Sequence, residues 1–125
     1  MENKTLNSPV RIQRSRQHKQ VSPNGLAIKY VGRGTRWGNP FRLVKYSDGK
    51  WAIKTDGSDK CADILINNCH FVYDTRNEAA IDAIKCYTLW LVPDNIVSLK
   101  GHNLSCWCRL DQKCHADVLL ELATL

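Results

Sequence analysis

The sequence predicts an α/β or α+β fold, with helices packed on a small single sheet that includes a β-hairpin. Three observations indicate this class. Alternating apolar runs in the first half flank turn-forming residues, a capped helix follows at 75–92, and a strand-to-helix turn joins 103–108 to 115–125. Strands followed by a helix, a strand and a helix are typical of a sheet that carries helices on at least one face.

The first half of the chain predicts short strands. Residues 10–16 alternate weakly between polar and apolar positions, and residues 26–31 form a second apolar run. Residues 41–55 contain two alternating runs on either side of Asp48 and Gly49. Because Asp-Gly is a favoured dipeptide for a tight hairpin turn, this segment predicts a β-hairpin.

The middle of the chain predicts a helix with clear boundaries. Residues 61–74 fit a helix and a strand equally well, whereas residues 75–92 predict a helix that starts with a capping box of Thr75 and Glu78. Pro93 ends this helix, because proline lacks the N–H group that a helix interior needs.

The C-terminal part predicts a strand that leads into a helix. The strand covers 103–108, and the helix covers 115–125 with an apolar stripe of Val118, Leu119 and Leu122. The turn between them lies at the carboxyl end of a predicted core strand. Ligands bind at that end of the strands in open α/β sheets.

Composition and charge indicate a globular protein with an anionic partner. Of the 125 residues, 43% are apolar and 24% are charged, an ordinary globular balance. We expect residues 1–9 to form a flexible leader and residues 10–125 a single compact domain. Residues 1–60 carry 13 Lys and Arg against 4 Asp and Glu, whereas residues 61–125 carry 5 against 8. This asymmetry favours an anionic ligand on the basic half, and a solvated basic surface is the alternative.

The chain shows no targeting or membrane segment. Its first twenty residues lack an apolar core, and the longest apolar run, LWLV, is too short to cross a bilayer. We therefore expect a cytoplasmic protein without a membrane partner. In a reducing compartment, six cysteines indicate thiols, metal ligands or small buried residues rather than disulfides.

The segment GRGTRWGNPF, residues 32–41, has the residue types of a nucleotide-like pocket. Arginine suits phosphate, glycine allows close approach of the backbone, tryptophan can stack on a base, and asparagine offers a donor and an acceptor. The ligand-binding candidates here are Arg33, Gly34, Arg36, Trp37, Gly38 and Asn39. The alternative is a structured loop in which Trp37 and Phe41 fill the core. The segment matches neither the P-loop nor the dinucleotide fingerprint.

The segment LSCWCRLDQKCHADVLLEL places four candidate metal ligands within ten positions, namely Cys106, Cys108, Cys114 and His115. These residue types suit a closed structural zinc site. The spacing argues against zinc, because structural sites usually follow C-x₂₋₄-C and neighbouring residues seldom point at one metal. We therefore expect no cofactor, with zinc as the alternative.

The same segment offers a thiol-dependent active site. Cys114 lies at a helix N-terminus, where the partial positive charge lowers the pKa of a thiol and favours anions. An enzyme would use Cys114 or Cys108 as nucleophile, with His115 or Asp117 as acid or base. Cys114 and His115 make a weak pair, because adjacent residues at a helix start are expected to point in different directions. In the plainest alternative, Cys106 and Cys108 are small buried side chains.

Together, the segments VGRGTRWGNPF and LKGHNLSCWCRLDQKCHADVLLEL resemble the family named domain of unknown function 4326, small proteins of phages and bacteria. The resemblance covers residues 10–125. The matching residues are Arg33, Arg36, Trp37, Gly38, Asn39, Pro40, Phe41, Cys106, Trp107, Cys108, Cys114, His115 and Asp117. The resemblance implies a compact domain in which both segments are important, and it implies no particular reaction.

These observations predict a small domain that binds an anionic nucleotide-derived ligand between the RGTRWGNPF loop and the CWC…CHAD strand–helix turn. Arg33 and Arg36 would bind phosphate, Trp37 would stack on a base, and Cys108 and His115 would line the other side. The alternatives are a thiol- or His-dependent enzyme acting on a nucleotide or nucleoside, and a zinc-stabilised module whose basic half contacts nucleic acid. The sequence leaves open whether the ligand is cleaved, and a homodimer is compatible with it.

Overall fold

The structure is a computed structural model that describes residues 8–17 and 19–124, so most of the predicted leader lies outside it. The strands are β1 (Arg11–Gln13), β2 (Ile28–Tyr30), β3 (Arg42–Lys45), β4 (Trp51–Lys54) and β5 (Asn103–Cys106). The helices are α1 (Asp59–Asn68), α2 (Arg76–Trp90) and α3 (His115–Ala123), with short 3₁₀ turns at Pro93–Asn95 and Val97–Leu99. This is an α+β fold, which confirms the predicted class. Within the described ranges, no helix is long and apolar enough to cross a membrane.

The strands lie in two sheets, whereas the sequence predicted one. Three parallel strands pair in the order β1-β5-β2, and β3 pairs antiparallel with β4 as a separate hairpin. The parallel sheet joins distant parts of the chain, since Arg11 is paired with Leu104 and Ile28 with Asn103. Local sequence patterns do not encode pairings over such separations, so the arrangement of strands could not be predicted.

The described chain divides into two compact units. The second unit is Asn39–Leu91 and contains the hairpin, α1 and α2. The first unit contains the other described residues, including the parallel sheet, the 3₁₀ turns and α3.

The core of the first unit surrounds β5, whose four residues are all buried. Helix α3 packs on this strand. Of its predicted apolar stripe, Leu119 is fully buried, whereas Val118 and Leu122 are half-buried. The buried face instead includes Ala116 and Ala123, and such small side chains allow the helix to approach its neighbours closely.

The amino end of β5 is held by a buried amide. Asn103 and Asn24 form a reciprocal pair, with Nδ2-to-Oδ1 distances of 2.8 and 3.0 Å. Asn103 Oδ1 also accepts from the Val10 N–H, and Asn24 Nδ2 also donates to the Ser8 carbonyl. These bonds connect the loop before β2 and the start of β1 to the central strand.

The second unit begins with the predicted hairpin. Gly49 has a φ of +88°, and the Lys50 N–H donates to Asp48 Oδ1, as expected for a tight turn at Asp-Gly. The ambiguous segment 61–74 begins within α1, whose N-cap Ser58 accepts from the Cys61 N–H at 3.3 Å. The cap lies before residue 61, so the ambiguous segment itself contains no signal for the start of a helix.

Helix α2 has the predicted boundaries to within two residues. The capping box is confirmed, because Thr75 Oγ1 accepts from the Glu78 N–H while Glu78 Oε1 accepts from the Thr75 N–H. On this helix, Asp82 is half-buried, and its Oδ2 accepts a 2.6 Å hydrogen bond from the Tyr73 hydroxyl.

Candidate functional site

The carboxyl ends of the three parallel strands of the first unit lie at one edge, because parallel strands run in the same direction. Arg14 follows β1, Val31 follows β2 and Trp107 follows β5. The ladder continues beyond the strands, since the Arg14 N–H donates to the Cys106 carbonyl at 2.7 Å and the Val31 N–H to the Ser105 carbonyl at 2.9 Å. This edge therefore carries both the start of the 32–38 loop and the cysteine motif.

Three thiols converge at this edge. The Sγ atoms of Cys106, Cys108 and Cys114 all lie within 4.8 Å of one another. Cys106 ends β5, and Cys114 is the N-cap of α3, so the intervening turn brings their sulfur atoms to 3.0 Å. Cys106 and Cys114 are buried and Cys108 is half-buried. Such a group of thiols could hold a metal ion.

The pKa values of the clustered thiols are shifted in opposite directions. Hydrogen bonds with the thiols of Cys106 and Cys108 lower the pKa of Cys114 strongly, with His115 contributing in the same direction and burial opposing it. The pKa of Cys106 is raised, because its thiol is hydrogen-bonded to Cys108 and Cys114 and is buried. The arrangement favours a Cys114 thiolate that accepts hydrogen bonds from protonated neighbours.

His115 connects the cysteine motif to the 32–38 loop. Its Nε2 lies 2.8 Å from the Val31 carbonyl oxygen, which only accepts, so Nε2 carries a proton and donates it. Its Nδ1 lies 3.6 Å from Cys114 Sγ. The prediction that these two neighbours point apart is wrong. Cys114 has extended backbone angles (φ −145°, ψ 148°), so the side-chain spacing of a helix does not apply to it.

Arg11 is a residue of the site that sequence reasoning missed. Its Nη2 donates to three carbonyls of the turn between β5 and α3, those of Arg109, Leu110 and Gln112, at 3.2, 2.8 and 2.9 Å. Burial opposes its charge, but a hydrogen bond with Cys114 and the charge of Asp117 raise the pKa of Arg11 above its usual value. The only sequence signal was its place in a short basic strand, because its pairing with β5 cannot be read locally.

The predicted loop residues Arg33, Gly34 and Arg36 are exposed. Gly34 has a φ of +91°, a conformation that other residues rarely adopt, so glycine is required for the shape of the loop. The Gly38 N–H donates to the Thr35 carbonyl at 3.1 Å and closes a turn. These positions all belong to the first unit, as does the cysteine motif.

Trp37 is 7% exposed, which differs from what a base-stacking surface requires. Its indole Nε1 donates to the Asn95 carbonyl at 2.6 Å. The Lys29 ammonium and the Arg36 guanidinium lie 5.3 and 5.4 Å from its ring centroid. The side chain therefore serves the packing of the loop, the alternative that the sequence also allowed.

The remaining predicted residues have structural contacts of their own. Asn39 lies in the second unit, where its Oδ1 accepts from the Phe41 N–H at 2.9 Å. Asp117 accepts from the Cys114 N–H at 3.3 Å and forms an ion pair with Arg11. The structure thus brings Asp117 together with the cysteine cluster.

One comparison with known proteins identifies a relationship. The family model described as Domain of unknown function (DUF4326) matches residues 10–125, nearly the whole chain. The match covers both the loop and the cysteine motif, and it confirms the resemblance seen in the sequence. No curated protein and no solved structure matches the chain.

Proposed function

The chain belongs to the DUF4326 family, and we propose that it binds an anionic, nucleotide-derived ligand at the carboxyl edge of its parallel sheet. The observation that carries the proposal is the hydrogen bond between His115 Nε2 and the Val31 carbonyl, which holds the start of the 32–38 loop against the first turn of α3. Ligands of open sheets with parallel strands bind at this edge, between the loops that leave the strands.

The charges around this edge support an anionic ligand. Arg33 and Arg36 are both exposed on the loop, and a guanidinium binds phosphate through two parallel hydrogen bonds. Residues 8–38, all in the first unit, carry seven Lys and Arg and no Asp or Glu, and this surplus attracts anions to this part of the chain. In this proposal, Trp37 keeps the loop packed, and Asn39 takes no part.

The binding experiment uses nucleoside mono-, di- and triphosphates and inorganic phosphate, added to the purified protein. A ligand at 100 times its Kd should stabilise the fold by about 2.7 kcal/mol, which thermal denaturation detects as a rise in Tm. Arg33→Ala and Arg36→Ala should each weaken binding by about 10-fold or more, because a charge-assisted contact is lost.

Arg42→Ala is the matched control, since Arg42 is also exposed but lies on the hairpin of the second unit. This variant should bind as the wild type does. Binding of no nucleotide at about 1 mM, or an equal loss in Arg42→Ala, would refute the proposal.

A zinc centre is the second candidate, and the convergence of the three thiols favours it. Two thiolates on one tetrahedral zinc lie about 3.8 Å apart, so Cys106 and Cys114, now at 3.0 Å, need to separate only slightly. His115 would be the fourth ligand through Nδ1. Its ring nitrogens do not lie within 4.8 Å of all three sulfur atoms, so the imidazole would have to move closer. Its Nε2–H bond to a carbonyl is the outer contact that metal-binding histidines usually make.

Such a zinc ion would be structural, because it would fix the turn between β5 and α3. Native mass spectrometry of the purified protein should show one zinc per chain, and a chelator should remove it and lower the Tm. Cys108→Ser should lose the metal, whereas Cys69→Ser, outside the cluster, should keep it. A metal-free protein that keeps its Tm in the presence of a chelator would eliminate this candidate.

The contacts of the thiols give less support to an enzyme. Cys114 has the lowered pKa of a nucleophile, but its side chain is 2% exposed, so a substrate cannot approach the sulfur atom in this conformation. Cys108 is more accessible, but its pKa is raised: the hydrogen bond with Cys106 lowers it, and the hydrogen bond with Cys114 together with burial outweigh that effect.

A further inference from the structure

The side chain of Arg14 lies near two aromatic rings at the carboxyl edge of the parallel sheet. Arg14 follows β1, Tyr30 ends β2 and Trp107 follows β5. The guanidinium carbon of Arg14 lies 5.0 Å from the centroid of the Tyr30 ring and 5.6 Å from that of the Trp107 ring. Both distances are within the range of a cation–π interaction. The guanidinium therefore connects two aromatic rings at the edge where the proposed ligand binds.

The backbone keeps these side chains in position. The Arg14 N–H donates to the Cys106 carbonyl at 2.7 Å, directly before Trp107. The Tyr30 ring lies over Gly32, where an added Cβ would overlap the ring. Positions fixed in this way lose little conformational entropy when a ligand binds.

Trp107 is the exposed member of the three. It is 47% exposed although it directly follows a strand whose four residues are all buried. Core packing does not explain this exposure, because a tryptophan gains most from being fully covered. Among the described residues of the first unit, no other aromatic side chain is exposed to this degree.

We infer that Trp107 is the surface on which the base of the ligand stacks, with Arg14 orienting the indole ring and Arg33 binding the phosphate. The ligand class is a nucleoside phosphate, and the inference rests on the proposed nucleotide-binding function. Trp107 takes the role that the sequence assigned to Trp37, whose ring is packed inside the loop. A single exposed ring fits one base, whereas single-stranded nucleic acid is usually held by several aromatic residues in succession.

The test compares ligands that differ only in the base. Adenosine 5′-monophosphate, guanosine 5′-monophosphate, ribose 5-phosphate and inorganic phosphate are titrated into the protein by calorimetry, with tryptophan fluorescence as a second readout. Trp107→Leu should weaken binding of both nucleotides by about 10-fold or more and leave ribose 5-phosphate unchanged, because only the stacking energy is lost. Trp107→Phe should stay within about 3-fold of the wild type, since phenylalanine keeps a π face.

Arg14→Lys tests the orienting role. Lysine keeps the charge but not the planar group that lies over both rings. We expect this variant to bind the nucleotides more weakly, with little change in its affinity for ribose 5-phosphate. Equal losses for both kinds of ligand would show that Arg14 acts as a phosphate contact and would overturn its assigned role.

The outcomes separate this inference from the proposed function. Unchanged nucleotide affinity in Trp107→Leu, together with a loss in Arg33→Ala, overturns base stacking and leaves the anion site standing. If the wild-type protein binds no nucleotide, both the base-stacking inference and the proposed nucleotide-binding function are overturned. Binding of a single-stranded oligonucleotide that depends on Trp107, without binding of mononucleotides, makes nucleic acid the ligand and overturns the assignment to a free nucleotide. Circular dichroism should confirm that each variant is folded.

Discussion

Arg11 Nε lies 3.2 Å from Asp117 Oδ1, an ion pair that joins the first residue of β1 to the first turn of α3. The same guanidinium donates to three carbonyls of the turn that carries Cys108. The side chain of Arg11 is only 8% exposed. One buried cation therefore holds together the strand, the turn and the helix that position the thiols.

Arg11→Lys should destabilise the first unit although it preserves the charge. A single ammonium group cannot replace the fork that reaches the turn and Asp117 together. We expect the free energy of unfolding to fall by about 2–4 kcal/mol, measured by urea denaturation. Arg16→Lys, at an exposed position, should change it by less than about 0.5 kcal/mol. Equal midpoints for Arg11→Lys and the wild type would contradict this role.

His115→Ala should release the 32–38 loop from α3. The substitution removes the donor to the Val31 carbonyl, and Val31 is fully buried, so its oxygen loses a partner at a cost of about 1–3 kcal/mol. Amide hydrogen exchange should become faster at Thr35 and Gly38. His70→Ala, at an exposed position in the second unit, should leave these two amides unchanged. Slow exchange that persists in His115→Ala would mean that the loop is held by its own contacts.

Asn103→Ala should weaken the opposite, amino edge of the sheet. Asn103 is fully buried and bonds to the Val10 N–H and to both polar atoms of the Asn24 amide, so alanine removes three part-buried hydrogen bonds from this edge at once. The expected loss is about 2–4 kcal/mol in the free energy of unfolding. Asn67→Ala, exposed on α1, is the control and should be nearly neutral. Urea denaturation of the two variants measures this difference. Similar midpoints for Asn103→Ala and Asn67→Ala would contradict a stabilising role of Asn103.

The stability of the second unit should fall at alkaline pH because of Cys86. Burial and a hydrogen bond with Cys69 raise the pKa of the Cys86 thiol to about 12. The pKa of a cysteine in an unfolded chain is about 8.5. A raised pKa in the folded state favours the neutral thiol, so its contribution is complete below about pH 8.5 and is lost as the pH rises toward 12.

The dependence of the unfolding free energy on pH shows whether the Cys86 thiol is responsible. Between about pH 9 and 10.5, the wild type should lose up to about 1.4 kcal/mol per pH unit more than Cys86→Ala does. Thr88→Ala, exposed on the same helix, should keep the wild-type slope. Parallel pH profiles for the wild type and Cys86→Ala would assign the alkaline loss to other groups.

The sequence alone determined the elements whose signals are local. The Asp48-Gly49 turn, the capping box of Thr75 and Glu78, and the strand before the cysteine motif are all found in the structure. Each depends on contacts between residues only a few positions apart, so the residue types are sufficient to predict them. The residue types of the cysteine motif suggested a metal site or a reactive thiol as alternatives, and the structure shows that three of its cysteines converge.

Only the tertiary structure decided how these elements meet. The pairing of β1 with β5 joins residues far apart in the chain and brings Arg11 to the turn before α3, a role that its local sequence does not indicate. The exposure of Trp107 and the burial of Trp37 are likewise outcomes of packing, since both tryptophans lie in polar segments. Long-range pairing and burial depend on the whole chain, because each contact is favourable only when its distant partner is already in place.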